Sequence, residues 1–505
     1  MSKKHIIRSA GIIGFGTVIS RVLGFVRDII IARYFGTARY AEAFVVAFRI
    51  PNMLRDLIGE GATNAAFVPV LSEYLVKKKE EFWELANVIL NLLLITLSAI
   101  TIVGILASPL IVRLIAPGFL DDPEKFTITV KLTRLMFPYI LLIGLAAYTM
   151  GVLNSLKHFS APAFGPCFLN IAIIICAMIW GESVMGLASG VLIGGVLQLA
   201  IQIPVLYRKG FKFSFTKKLN HLAANKIGIL LLPRILGSCV YQVNLFVNTI
   251  LASLSGIVGA GGVAALYYAN RIFQFPLAIF GIAIAQAVLP TMSREALEKE
   301  PDKLKHTLSF SLRVINFIII PASIGLIMLA VPMTRVLFER GKFDQNSTRI
   351  TANALVFYSI GLFSYSGIKI LVNCFYSLKD TLTPVKIAGA SLLLNIALNI
   401  VLMFPLKIGG LAFSASISGI FNFFALFYML RKKIGSLEGY KILSSFLKVL
   451  MASLSMAAII YICSFKIGLN LFIVIAIAIA SYIMAAFIFN VREAKDLLLW
   501  MLKKK

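Results

Sequence analysis

The sequence predicts an all-α polytopic membrane protein: about fourteen transmembrane helices, forming two six-helix lobes that repeat in parallel, plus two further helices at the C-terminus. Three observations predict it. Of the 505 residues, 59% are hydrophobic and 14% charged, and the mean hydropathy of +0.91 lies far above soluble usage. Apolar runs near twenty residues recur from end to end, each long enough to cross about 30 Å of hydrocarbon as a helix, and none alternates as a barrel strand would. Finally, the chain matches itself after a shift of about 220 to 225 residues.

The crossings are expected near residues 8–34, 40–58, 83–116, 128–153, 161–180, 184–206, 227–252, 262–291, 308–338, 350–376, 384–404, 409–430, 443–464 and 469–490. The first begins "MSKKHIIRSAGIIGFG", which has the basic and apolar regions of a signal peptide. Arg21 and Arg27 interrupt the rest of that apolar run and no small-residue cleavage site is evident, so it reads as an uncleaved helix. Between crossings, alternate gaps hold the basic clusters: Lys77 to Lys79, "YRKGFKFSFTKKLNH", "RKKIGSLEGYK" and the final three lysines. The opposite gaps are short or acidic, as in "APGFLDDPEK". By the positive-inside rule both termini are cytoplasmic, and the formal charge of +27 reflects topology rather than nucleic-acid binding. Cys167, Cys176, Cys239, Cys374 and Cys463 all fall within expected crossings without C-x-x-C spacing, which points to structural thiols rather than zinc or disulfides.

The repeat sets the domain boundaries. "VLNSLKHFSAP" falls on "CFYSLKDTLTP", "FLNIAIII" on "LLNIALNI" and "ASPLIVRLIAPGF" on "AVPMTRVLFERGKF", while "AFVVAFRIP" meets "ALYYANRIF" and places Arg49 on Arg271. Prolines, lysines and arginines align in one order, which chance likeness between apolar helices does not produce. Six crossings per copy, an even number, make the repeat parallel: residues 1–218 form an N-lobe, 219–435 a C-lobe, and 436–505 the two added helices with a basic tail. Transporters built this way hold substrate at the interface of the lobes and rock them about it.

Ionisable groups inside crossings mark where that substrate would sit. Arg or Asp at a helix centre costs about 2.5 to 3.5 kcal/mol on insertion scales. The first crossing nonetheless carries Arg21, Arg27 and Asp28 in "SRVLGFVRDIIIARYFG". The second carries Glu42, Arg49 and Asp56 seven residues apart, with Arg55 alongside and Pro51 expected to kink it. Arg271 lies on the eighth. Five arginines outnumber the three acids Asp28, Glu42 and Asp56. A surplus of guanidinium groups in a wet cavity reads as a site for an anion, most naturally a phosphate or diphosphate held by bidentate hydrogen bonds. Asn395 and Asn399, one turn apart, are weak sodium candidates, as are Asn244 and Asn248; without a carboxylate, interhelical hydrogen bonding is the simpler reading.

"SRVLGFVRD", "AEAFVVAFRIPNMLRDLIGEGATNAAFVPVLSEY", "FPYILL" and "YYANRIFQFP" closely resemble the bacterial lipid II flippases of the MurJ (MviN) type, within the MOP exporter superfamily. The resemblance runs over nearly the whole chain and implies a MATE/MOP-like fold in the bacterial inner membrane. It implies translocation of lipid II, the undecaprenyl-diphosphate-linked peptidoglycan precursor, from the inner to the outer leaflet by alternating access. The partners implied are lipid II and membrane lipids, with the chain acting as a monomer and without a cofactor. Carried over residue by residue, the family's essential cavity positions fall on Arg21, Arg27, Asp28, Glu42, Arg55 and Arg271. Asn270 and Gln274 depart from the acids that relatives often carry there, so coupling through carboxylates at those positions is in doubt. Of the rivals, a drug exporter of the same superfamily would need surplus carboxylates. A flippase for another polyprenyl-diphosphate-linked oligosaccharide shares the chemistry but not the motifs of the first two crossings. An intramembrane enzyme needs a metal-binding or acid/base cluster; His5, His158, His221 and His306 lie singly, and "DDPEK" at 121–125 reads as a solvated loop.

Overall fold

The computed structural model describes residues 3–55, 67–215, 222–298 and 300–496, and the described residues contain helices but no strand. In chain order the helices are α1 (Lys3–Phe35), α2 (Arg39–Arg55), α3 (Val68–Lys77), α4 (Phe82–Leu106), α5 (Ser108–Ile115), α6 (Pro123–Met136), α7 (Tyr139–Ser155), α8 (Ser160–Trp180), α9 (Val184–Ala200), α10 (Ile203–Arg208) and α11 (Leu222–Ser253). There follow α12 (Ser255–Val258), α13 (Gly262–Pro276), α14 (Ala283–Leu297), α15 (Pro301–Met328), α16 (Ala330–Phe338), α17 (Gln345–Ile360), α18 (Leu362–Ser377), α19 (Leu382–Leu406), α20 (Ile408–Ile434), α21 (Gly439–Tyr461) and α22 (Leu471–Ile488).

Ten of the described spans are long and apolar enough to cross a membrane, or eleven when α17 and α18 are counted as one bent span. The protein is therefore a multi-pass membrane protein. All eleven coincide with expected crossings. The other three expected positions hold α1, α2 and α11; α1 and α2 are too charged or too short to qualify on apolarity, for the reason that made their arginines conspicuous.

Several expected crossings are broken, and the breaks have a cause. The run 83–116 divides at Ala107 and the run 308–338 at Leu329, each two or three residues before a proline, Pro109 and Pro332. Proline removes an N–H and crowds the preceding turn, so the helix ends and restarts. The run 128–153 breaks at Phe137–Pro138, and 350–376 bends by 44° at Gly361. At Gly361 a Cβ would lie 2.8 Å from the backbone of Ser416, so only glycine permits this approach. Between α13 and α14 the helix widens into a π-turn over Leu277–Ile282 behind Pro276.

The chain forms two compact units, residues 1–256 with 340–344, and residues 257–339 with 345–505. In the first, Phe67, Phe82, Leu85, Tyr148 and Leu153 pack α3, α4 and α7 together. The turn 340–344 belongs to this unit: the Lys342 amide donates to the Arg33 carbonyl at 2.8 Å, and Lys342 Nζ reaches Glu182 at 2.6 Å. In the second, α21 and α22 pack on α15 through Phe317, Val449, Met456 and Tyr482, whose hydroxyl donates to the Phe317 carbonyl at 2.6 Å. The large exposed apolar side chains, such as Leu393, Val401 and Phe404 along α19, are lipid-facing surface.

Candidate functional site

The first unit holds six of the seven expected site residues. Arg27 and Asp28, 5% and 1% exposed, are adjacent on α1 and paired: Arg27 donates to Asp28 Oδ1 through Nη2 at 2.8 Å and Nε at 3.1 Å. The remaining arm, Nη1, donates to Asn170 Oδ1 on α8 at 3.0 Å. The Asn170 amide is in turn fixed by donating to the carbonyls of Ser20 and Pro166, each at 3.1 Å. The guanidinium is thus held from two helices, and its charge is balanced by an immediate neighbour.

Glu42 is also buried. Its partner is Lys125 at the start of α6, itself 7% exposed, with Nζ 3.9 Å from the centre of the Phe119 ring. In "DDPEK" Asp121 and Glu124 are exposed, as a solvated loop implies, and Lys125 alone is buried. Asp122 caps α6 by accepting from the Lys125 amide at 3.1 Å and binds Arg39 at 3.0 Å, Glu124 also meets Arg39, and Lys125 turns inward. Arg21 is exposed, Arg49 and Arg55 are half-buried, and Pro51 lies within α2. Asp56 lies outside the described residues.

In the second unit Arg271 is half-buried on α13, where Nη2 donates to Tyr267 Oη at 3.0 Å and the guanidinium carbon lies 4.9 Å from that ring's centre. Gln274 donates to Asn270 Oδ1 at 3.0 Å, one turn apart on α13. Asn399 donates to Asn395 Oδ1 at 2.9 Å, both fully buried, and Asn248 donates to Asn244 likewise. Both of these bonds run within a single helix, one turn apart. Among the described residues no group of three or more His, Cys, Asp or Glu converges as metal ligands would.

With this geometry in view, comparison with known proteins is informative. Residues 31–483 match the family described as Lipid II flippase MurJ. The Lipid II flippase MurJ of Burkholderia cenocepacia is 35% identical over 457 residues, covering 89% of this chain and 88% of the relative. The Probable lipid II flippase MurJ of Buchnera aphidicola from Acyrthosiphon pisum is 37% identical over 88% of each chain. The chain belongs to the MurJ lipid II flippase family. A solved structure titled "Lipid II flippase MurJ, inward closed conformation" superposes with a TM-score of 0.82 at 28% identity over 96% of this chain and 99% of that one. An inward-facing MATE multidrug transporter of the MOP superfamily superposes at 0.70 with 15% identity over 83% of this chain and 96% of its own, a likeness of fold alone.

One residue that holds a site arginine was not singled out from sequence. Asn170, which orients Arg27, lies 143 residues away from it and resembles any polar residue in a span.

Proposed function

We propose that this protein is a lipid II flippase that carries the lipid-linked peptidoglycan precursor from the inner to the outer leaflet of the cytoplasmic membrane. Membership of the family over nearly the whole chain carries this reading. It is a transport role: the lipid leaves chemically as it arrived. Purified protein in vesicles, assayed for movement of labelled lipid II between leaflets, tests it; the expected result is translocation without hydrolysis or transfer. Failure to move lipid II while moving another polyprenyl-diphosphate-linked oligosaccharide would assign the other substrate.

The finer mechanism follows from the arginines. Arg21, Arg27, Arg49 and Arg55 of the first unit and Arg271 of the second supply planar donors for the diphosphate, whose charge otherwise forbids passage through hydrocarbon. Asp28 and Asn170 fix the orientation of Arg27, and Tyr267 that of Arg271. Glu42 orients α2 against α6 through Lys125. α1, α2 and α11 complete fourteen crossings, in which 1–218 and 219–435 are duplicated lobes. Both termini are cytoplasmic, and one chain suffices for transport. The apolar helices α21 and α22 give the polyprenyl chain a surface to follow while the headgroup crosses.

A further inference from the structure

We propose that a cavity at the N-terminal end of α21 is a binding site for the phosphate of an anionic phospholipid, distinct from the transport arginines. It encloses about 110 Å3 between α15, α21 and the segment following α22, and Arg313, Lys441, Lys448, Arg492, Ser445 and Glu493 are among its walls. Four cations face one carboxylate, and that carboxylate is occupied: Glu493 accepts from Arg313 at 2.6 Å and from Ser445 at 3.1 Å. Lys441 also reaches Glu438 outside the cavity, at 2.7 Å. Counting both acids, two positive charges remain in excess.

Arg313 supplies the second observation. It is 8% exposed, and its Nε has no hydrogen-bond partner among the described residues. The Arg313 guanidinium is fixed in the cavity wall by its bond to Glu493, so its charge is held in place for a charge-assisted contact with a phosphate. The cavity is half open to its surroundings and has room for a phosphate group. The neighbouring surface selects its class. Tyr440, Leu443, Leu447, Met451 and Leu454 are all exposed at three- and four-residue spacing, so one apolar stripe runs along α21 away from the cavity. Tyrosine at the head of such a stripe is the usual occupant of a membrane–water boundary. A phosphate pocket continuous with an acyl-chain bed describes a phospholipid with net negative charge, and basic pockets between spans bind such headgroups. The bound phosphate ties α21 and the end of α22 to α15.

The test uses the full-length protein in detergent, titrated with phosphatidylglycerol and, separately, phosphatidylcholine, with retained lipid counted by native mass spectrometry. Wild type should retain phosphatidylglycerol in preference. Lys448→Gln with Arg492→Gln should weaken it at least tenfold, Lys448→Arg with Arg492→Lys should keep it, and Lys131→Gln on exposed α6 should change nothing. Arg492 is exposed, so Arg492→Gln alone gives a folded variant, expected to lose affinity by a smaller factor, should the double variant fail to fold. Equal retention by the neutralised variants, or no preference over phosphatidylcholine, would overturn the site. Displacement of the lipid by equimolar inorganic phosphate would overturn its assignment to a lipid.

Discussion

Asn170 on α8 and Asn395 on α19 occupy matched places in the two halves of the sequence, and they are used differently. Asn170 accepts from Arg27, whereas Asn395 accepts from Asn399, whose counterpart in the first half is Ile174. The contrast extends outward. The first unit buries the ion pairs Arg27 with Asp28 and Glu42 with Lys125, while α13 and α19 of the second carry the neutral pairs Asn270 with Gln274 and Asn395 with Asn399. Away from these positions the halves agree closely. Lys157 and Lys379, matched in "NSLKH" and "YSLKD", both take left-handed backbone at φ 62° and 60°. The residues after them close the helix alike, His158 donating to the Leu153 carbonyl at 2.8 Å and Asp380 to that of Phe375 at 2.9 Å. Backbone construction is shared, while the buried ion pairs differ in place: the first unit holds Arg27 with Asp28 on α1 and Glu42 with Lys125 between α2 and α6, and the second holds Arg313 of α15 with Glu493 after α22.

The largest expected effect comes from making the first unit resemble the second. Lys125→Met leaves Glu42 buried without its partner and should destabilise the protein by about 3 to 5 kcal/mol, read as a fall in the unfolding midpoint in detergent. Adding Glu42→Gln should recover most of the loss. If the single and double variants melt alike, the pair contributes nothing to the fold.

How far this contrast was legible in the sequence depended on the range of each interaction. Crossings were legible because about twenty apolar residues announce themselves locally, and the breaks at Ala107 and Leu329 were foreshadowed by Pro109 and Pro332. Arg27 and Asp28 stood out because charge in a span is costly. The partner of Glu42 did not, because Lys125 lies 83 residues away in a segment rich in acids, where a lysine ordinarily stays in water. Asn395 and Asn399 were visible as one turn of helix; that they would bond each other depended on their burial together in the packed structure.

A smaller effect separates the matched asparagines. Asn170→Ala removes a support of Arg27 and should lower lipid II translocation several-fold at unchanged abundance. Asn395→Ala leaves Asn399 with one buried bond fewer and should cost about 1 to 3 kcal/mol of stability with transport per folded molecule retained. Equal losses of transport in both would remove the functional distinction between the units.

The smallest effect belongs to the matched loops, which acid should loosen in turn. Burial, with Lys209 nearby, holds the His158 imidazole below its usual range. The unfolded chain therefore takes up that proton first, and the stability present above about pH 6.5 falls just below it. Asp380 is pushed down to about 2, chiefly by Lys433 and then by the Thr383 amide, so its contribution persists until the pH drops below about 4 and is lost toward 2. His158→Gln should erase only the upper step of a melting-midpoint profile, and Asp380→Asn only the lower one. A profile unchanged by either would show that these loops do not contribute.

The central claim is that the arginines recognise a diphosphate and do not serve only to balance carboxylates. Binding of lipid II to purified Arg27→Lys and Arg271→Lys proteins tests it most directly, because lysine keeps the charge and loses the planar fork. Losing one charge-assisted hydrogen bond, worth about 1.5 to 3 kcal/mol, should weaken binding roughly ten- to a hundredfold, and Arg27→Ala with Asp28→Ala should not restore it. Wild-type affinity in both lysine variants, with recovery in the double alanine variant, would contradict the claim and leave Arg27 and Asp28 as a structural pair.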